Sequence, residues 1–115
     1  MIRPGEIYVA DFAAFGPHRV IVVSREELNR GDKVVAVLCT SARFELRSRL
    51  PNCVAFFAGT FGFKINCVAQ CEYVVTLEIE QLDMSSGPIG LLDDEALRDV
   101  GRAIGYVIEC DCEPF

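Results

Sequence analysis

No apolar stretch in this chain runs longer than Val34-Val35-Ala36-Val37-Leu38-Cys39, six residues. A membrane helix needs about 20 such residues, so no membrane span is expected. The apolar residues arrive instead as short, β-branched or alternating runs separated by Gly, Pro and polar clusters, the pattern of strands and tight turns. Glu6–Phe12 alternates Ile7 and Val9 with Tyr8 and Ala10. After a turn at Ala13-Ala14-Phe15-Gly16-Pro17, His18–Ser24 carries Val20-Ile21-Val22-Val23 and reads as a second, buried strand. Ser24-Arg25-Glu26-Glu27 matches a capping box and predicts a short helical turn to Asn29. Lys33–Thr40 is the third strand, central by its continuous apolarity.

The polar stretch Ser41–Pro51 holds Arg43, Arg47 and Arg49 and reads as an exposed loop. Asn52–Phe57 follows as a fourth strand and Phe63–Thr76 as a fifth, with Cys67, Ala69, Cys71 and Tyr73 expected on one face and Val68, Gln70, Glu72 and Val74 on the other. A helical or irregular piece near Glu80–Met84 leads to a short extended segment at Pro88–Leu91. The last element is a helix. Asp93 is a good N-cap, Asp94 and Glu95 suit the positive end of the helix dipole, and Leu97, Val100, Ile104, Val107 and Ile108 form one apolar stripe. Strands with tight turns and one packing helix point to a mainly β fold, a small, partly open SH3-like barrel.

With 115 residues and 51% apolar content, the chain makes one domain, residues 1–115, whose core needs no disulfide or metal staple. The opening Met1-Ile2-Arg3-Pro4-Gly5-Glu6 lacks an apolar signal segment, which predicts a cytoplasmic protein with reduced thiols. Cys39, Cys53, Cys67 and Cys71 sit in strand-like runs as small hydrophobes. Neither Cys67-x3-Cys71 nor Cys110-x-Cys112 has zinc-ribbon spacing, and His18 is the only histidine, so no metal or other cofactor is expected.

The net charge of −6 is unevenly spread: residues 1–71 carry 9 basic and 6 acidic groups, residues 72–115 carry 2 and 11. Bulk field therefore does not draw a polyanion to this chain. Any nucleic-acid site is local and belongs to the first part.

There is no phosphate-binding glycine loop, nucleophile elbow or paired-His motif. His18 and Arg19 open the second strand, and Thr40 and Ser41 close the third. If those strands are antiparallel neighbours, an imidazole, a guanidinium and two hydroxyls share one rim, near Arg43, Arg47 and Arg49. Such a group suits attack of a ribose hydroxyl on its own phosphodiester. Imidazole moves protons near neutrality, and guanidinium grips phosphate oxygens and offsets developing charge. Each element also has a structural reading: a surface His after a turn, a Thr satisfying backbone, a soluble Arg-rich loop.

Arg3-Pro4-Gly5-Glu6-Ile7-Tyr8-Val9-Ala10-Asp11-Phe12 resembles the opening of the MazF/PemK toxins, the ribosome-independent mRNA interferases. Arg19-Val20-Ile21-Val22-Val23-Ser24 is similar to their second strand, Val37-Leu38-Cys39-Thr40-Ser41 to their third, and Leu50-Pro51 to the start of their fourth. Gly62-Phe63, Val68, Glu72 and Thr76, then Ile89-Gly90-Leu91-Leu92-Asp93, follow in the family's order. The resemblance implies an SH3-like barrel, a homodimer, a cognate antitoxin, and metal-free cleavage of single-stranded RNA to a 2′,3′-cyclic phosphate and a 5′-hydroxyl. It implies catalytic roles for Arg19 and Thr40, and His18, from its own place beside them, is expected to serve as acid or base. Ser41, Arg43, Arg47, Arg49 and Asn66 are the expected RNA-binding residues.

The chain departs from the family at several places. The first loop is short, Val20 stands for a Pro, and Ile65-Asn66-Cys67 stands for Arg-Asp-Ser. Tyr73 and Val75 replace a Gln and an Arg. Two other functions fit the same fold: a non-catalytic binding module, and a gyrase poison of CcdB type.

Overall fold

The computed structural model describes residues 1–109. Six strands form one antiparallel sheet: β1 (Glu6–Asp11), β2 (Pro17–Val22), β3 (Lys33–Thr40), β4 (Cys53–Phe56), β5 (Cys67–Glu78) and β6 (Gly90–Leu91), in the order β4-β5-β3-β2-β1-β6. The sheet curls into a half-barrel. One helical turn, α1 (Phe44–Arg47), lies between β3 and β4, and the helix α2 (Asp94–Val107) packs on β5 and β4. No helix among the described residues is long and apolar enough to cross a membrane. Cys110 and Cys112 lie outside the described residues; Cys39, Cys53, Cys67 and Cys71 are free thiols.

Two cores flank the sheet. Ile7, Ile21, Val37, Phe56, Phe63 and Cys71 pack against Ala96, Val100 and Ala103 of α2. Tyr8, Val20, Val22, Val34, Ala36 and Leu77 pack on the other face with Ile2 and Leu82. The alternation of β1 and β2 follows from this two-sided burial, each successive side chain entering the opposite core.

β5 breaks the expected alternation. Val37 pairs with Val74, yet the next residue, Leu38, pairs with Gln70, so Cys71-Glu72-Tyr73 are taken up in a bulge. An odd number of extra residues reverses the faces. Cys67, Ala69 and Cys71 face α2, whereas Val75 and Leu77 beyond the bulge face the other core. Tyr73, expected alongside the cysteines, is half exposed instead.

The capping box at Ser24 does not form. The Ser24 hydroxyl bonds to Asn29 Oδ1 and receives the Val35 amide at 3.0 Å, while Asn29 Nδ2 donates to the carbonyls of Ile2 and Ser24, each at 3.0 Å. A buried polar knot thus joins the N-terminus, the end of β2 and the start of β3, and it outcompetes a local cap. The segment read as an open loop at Ser41–Pro51 contains α1, held by an edge-on contact of Phe44 with Phe57 at 5.7 Å.

The Asp93 cap is formed, its carboxylate accepting from the Ala96 amide at 2.8 Å. The apolar stripe of α2 is covered only over its first turns. Val100 is fully buried and Leu97 and Ile104 pack partly, but Val107 and Ile108 are exposed. At the open side of the barrel the β4–β5 loop meets β6. A Cβ on Gly90 would lie 1.7 Å from the Phe61 carbonyl oxygen, and one on Gly62 would lie 2.0 Å from that of Ile89. Only glycine permits the backbones to touch there.

Candidate active site

β2 and β3 pair only through Val20, Ile21 and Val22. Beyond Val20, β2 stays with β1, Arg19 opposite Val9 and His18 opposite Ala10, while β3 stays with β5, Cys39 opposite Ala69 and Thr40 opposite Val68. The two strands part, and a pocket of about 250 Å³ opens in the fork. Residues 17–19 and 39–41 line it, with Ile65 and Cys67 from the β4–β5 loop and β5. The pocket therefore brings together His18, Arg19, Thr40 and Ser41. No carboxylate lines it, so the guanidinium charge is not neutralised in place.

Two donors and one acceptor are poised there. Arg19 Nε is buried and has no hydrogen-bond partner among the described residues. A buried donor left unpaired costs about 1–3 kcal/mol, which an anionic acceptor would recover. Thr40 Oγ1 accepts the Ala42 amide at 3.2 Å, and its own proton remains free to donate. His18 Nε2 lies 3.1 Å from the Phe15 carbonyl oxygen, and its ring meets Phe12 edge-on at 5.8 Å. Since a carbonyl only accepts, Nε2 carries the proton, and in the neutral ring Nδ1 is the acceptor.

Two thiols form the floor. The neighbouring Cys39 thiol draws the Cys67 thiol below the usual range against the effect of burial, with the Arg19 charge assisting. Cys39 is pushed up by the same pairing and by burial. Neither thiol was singled out in the sequence as part of the site. Their signal was positional: Cys39 precedes Thr40, and Cys67 stands where the family carries its Ser.

The remaining expected residues lie elsewhere. Asn66 Oδ1 accepts the Ala58 amide at 2.8 Å and so braces the β4–β5 loop. Arg43 and Arg49 are exposed on either side of α1, and Arg47 donates to the Ala42 carbonyl at 3.2 Å. Arg47 instead lines a second cavity of about 450 Å³ with Phe12, Phe15, Leu38, Gln70 and Tyr73. His18 is common to both cavities.

Residues 3–108 match the family model described as PemK-like, MazF-like toxin of type II toxin-antitoxin system. No curated protein matches the sequence. Among solved structures, the chain is similar to an endoribonuclease in complex with its cognate antitoxin from a mycobacterial species. That likeness has a TM-score of 0.81 at 18% identity and covers 98% of this chain and 100% of the other. The Mycobacterium tuberculosis toxin MazF-mt6 aligns with a TM-score of 0.77 at 19% identity, covering 93% and 99%. MazE-MazF from Deinococcus radiodurans aligns with a TM-score of 0.72 at 15% identity, covering 93% and 94%. At these identities the likeness establishes the fold, a MazF-like half-barrel with its C-terminal helix.

Proposed function

Because this chain belongs to the PemK-like, MazF-like toxins of type II toxin–antitoxin systems, we propose that it is an endoribonuclease that cleaves single-stranded RNA. The observation that carries this reading is the carboxylate-free fork between β2 and β3, where the unpaired Arg19 Nε, the free Thr40 proton and the His18 ring share one pocket.

The chemistry follows from what these groups supply. The 2′-oxygen of a ribose attacks the adjacent phosphorus, its proton passes to His18 Nδ1, and the bond from phosphorus to the 5′-oxygen breaks. The leaving 5′-oxygen takes a proton from water and His18 releases the one it holds to solvent, leaving a 2′,3′-cyclic phosphate and a 5′-hydroxyl. Arg19 and Thr40 donate to the non-bridging oxygens as charge builds there, the term that contributes most in such reactions. Arg19 supplies the positive charge, so the scheme requires no metal ion.

The partners on this reading are RNA, a cognate antitoxin and a second copy of the chain. The endoribonuclease from a mycobacterial species is in complex with its cognate antitoxin, and the Deinococcus structure is of MazE with MazF. The uncovered end of α2 at Tyr106, Val107 and Ile108 supplies apolar surface for a symmetric homodimer.

Purified protein is incubated with mixed-sequence single-stranded RNA and excess chelator. Cleavage to cyclic-phosphate ends is expected, with a loss on the order of 10²–10³-fold in Arg19→Ala. RNA left intact with and without added divalent ions would remove the enzyme reading in favour of a binding module.

A further inference from the structure

The floor of the fork carries two nucleophiles that the cleavage scheme does not use. Cys39, next to last in β3, pairs with Ala69 of β5, and Thr40 pairs with Val68. Cys67, the first residue of β5, lies two places from Ala69 and shares its face, so it is the diagonal neighbour of Cys39. Both thiols are buried in one core cluster, and both line the pocket of about 250 Å³ beside Arg19 and Thr40. A water molecule takes up about 30 Å³ of liquid, so an oxidant as small as hydrogen peroxide has room to reach them.

The neighbouring thiols are placed differently. Cys71 Sγ donates to the carbonyls of Ala69 at 3.9 Å and Val100 at 3.8 Å, and burial pushes its pKa up to about 12. Cys53 lines a separate cavity against α2. Among the described thiols only Cys67 is drawn below the ordinary range, by Cys39 first and then by the Arg19 charge. Cys67 is therefore the thiol that most readily becomes the reactive thiolate, with Cys39 beside it to resolve an oxidised sulfur.

We propose that Cys39 and Cys67 form a peroxide-reactive pair whose disulfide switches off the Arg19–Thr40 pocket. The Cys67 thiolate attacks one peroxide oxygen and the O–O bond breaks. This gives a sulfenic acid on Cys67 and a hydroxide, which takes up the proton that Cys67 had released. The Cys39 sulfur then attacks the Cys67 sulfur, the S–O bond breaks, and the departing hydroxide leaves as water with the Cys39 proton. Two thiols and one peroxide become one disulfide and two waters, the sulfurs giving up two electrons and the peroxide accepting them. A dithiol reductant reverses the step by exchange.

Closure of that bond bears on Thr40. Diagonal residues of an antiparallel pair stand about 7–8 Å apart, and a disulfide spans at most about 7 Å between Cα atoms. The end of β3 is drawn toward β5, and Thr40, one peptide bond from Cys39, moves with it. A shift of about 1 Å in a placed donor costs on the order of 10²-fold in rate. This effect on cleavage rests on the reading of the chain as an RNA-cleaving enzyme; the disulfide itself does not.

The protein is treated with hydrogen peroxide, blocked with iodoacetamide and mapped as non-reduced peptides by mass spectrometry. RNA cleavage is measured before oxidation, after it, and again after dithiothreitol. A bridge from Cys39 to Cys67 is expected, with cleavage reduced on the order of 10–100-fold and restored by dithiothreitol. Cys67→Ser should keep its own untreated rate in peroxide, which separates the pair from damage elsewhere in the chain. Cys39→Ser should form no bridge and carry added oxygen on Cys67 instead.

Thiols left unlinked by peroxide, or Cys39 joined to Cys71, would overturn the pair. A bridge that leaves cleavage unchanged would overturn the switch and leave the enzyme reading standing. Reduced protein that cuts no RNA would remove the enzyme reading, and the peptide map then decides the pair by itself: a bridge upholds it, and its absence overturns it.

Discussion

The Nε2–H of His18 is held by the carbonyl oxygen of Phe15, 3.1 Å away, across the tight turn that joins β1 to β2. One bond thus orients the ring and assigns its tautomer, and it makes the shortened first loop a clamp for the imidazole. If His18 transfers a proton, both His18→Ala and His18→Gln should lose cleavage by about 10²–10⁴-fold. Added imidazole should restore part of the His18→Ala rate. Glutamine can still donate to the Phe15 carbonyl but cannot act as a base. A His18→Gln enzyme that cleaves at the wild-type rate would show that the ring only braces the loop.

Arg19 should be detectable through a sulfur atom. Cys67 is drawn below the ordinary thiol range by the neighbouring Cys39 thiol and then by the Arg19 charge, while Cys39 is pushed up. The thiolate is the reactive form. Iodoacetamide followed by peptide mapping should therefore modify Cys67 ahead of Cys39, although both are buried at the pocket floor. Arg19→Lys should leave the Cys67 rate within about threefold, and Arg19→Ala should slow it further at the same pH. Equal labelling of the two thiols would count against the arrangement.

Much of this was legible in the chain, and the reasons are local. The runs at Val20–Val23 and Val34–Cys39, and the cap at Asp93, carry their own periodicity and needed no tertiary information. The rim of His18, Arg19, Thr40 and Ser41 followed from one assumption, that β2 and β3 are antiparallel neighbours. Their parting beyond Val20 was not legible, because each strand continues with a different partner. Nor was the bulge at Cys71–Tyr73, since the sequence there alternates smoothly and the jump in register is set by what β3 offers. The Ser24 cap was misread because Asn29 and Val35 compete for the same hydroxyl. Asn66 shows the converse, a polar residue whose bond to the Ala58 amide the sequence did not suggest.

Tyr8 predicts how stability changes in alkali. Its hydroxyl donates to Glu6 Oε1 at 2.8 Å, and burial, reinforced by that carboxylate, pushes its pKa from 10.0 up to about 12. In the unfolded chain the phenol ionises near its ordinary value, while in the folded chain it keeps its proton. Between about pH 10 and 12 the unfolded state therefore binds fewer protons, and stability must fall as pH rises. The loss is roughly 2–3 kcal/mol for a shift of this size. Urea midpoints should drop over this window in the wild type. Tyr8→Phe should start lower at pH 9, having lost a bond to a charged group, but decline less. Parallel declines in the two proteins would exclude Tyr8 as the cause.

Closure of the barrel rests on two glycines, and the contact is severe enough to test alone. A methyl group at Gly90 would sit 1.7 Å from the Phe61 carbonyl oxygen, well inside any tolerated separation, and the obstacle is backbone. Relief requires β6 to leave the Phe61–Gly62 loop. Gly90→Ala should therefore cost about 3 kcal/mol or more, lowering Tm by at least about 10 °C in a domain of this size. Gly101, in the middle of α2, is the control, for a Cβ there meets nothing within 4 Å. Gly101→Ala should stabilise by about 0.5–1 kcal/mol through helix propensity alone. A Gly90→Ala protein that melts within 2 °C of wild type (roughly the effect of an ordinary surface change) would mean that the loop and β6 do not meet as described.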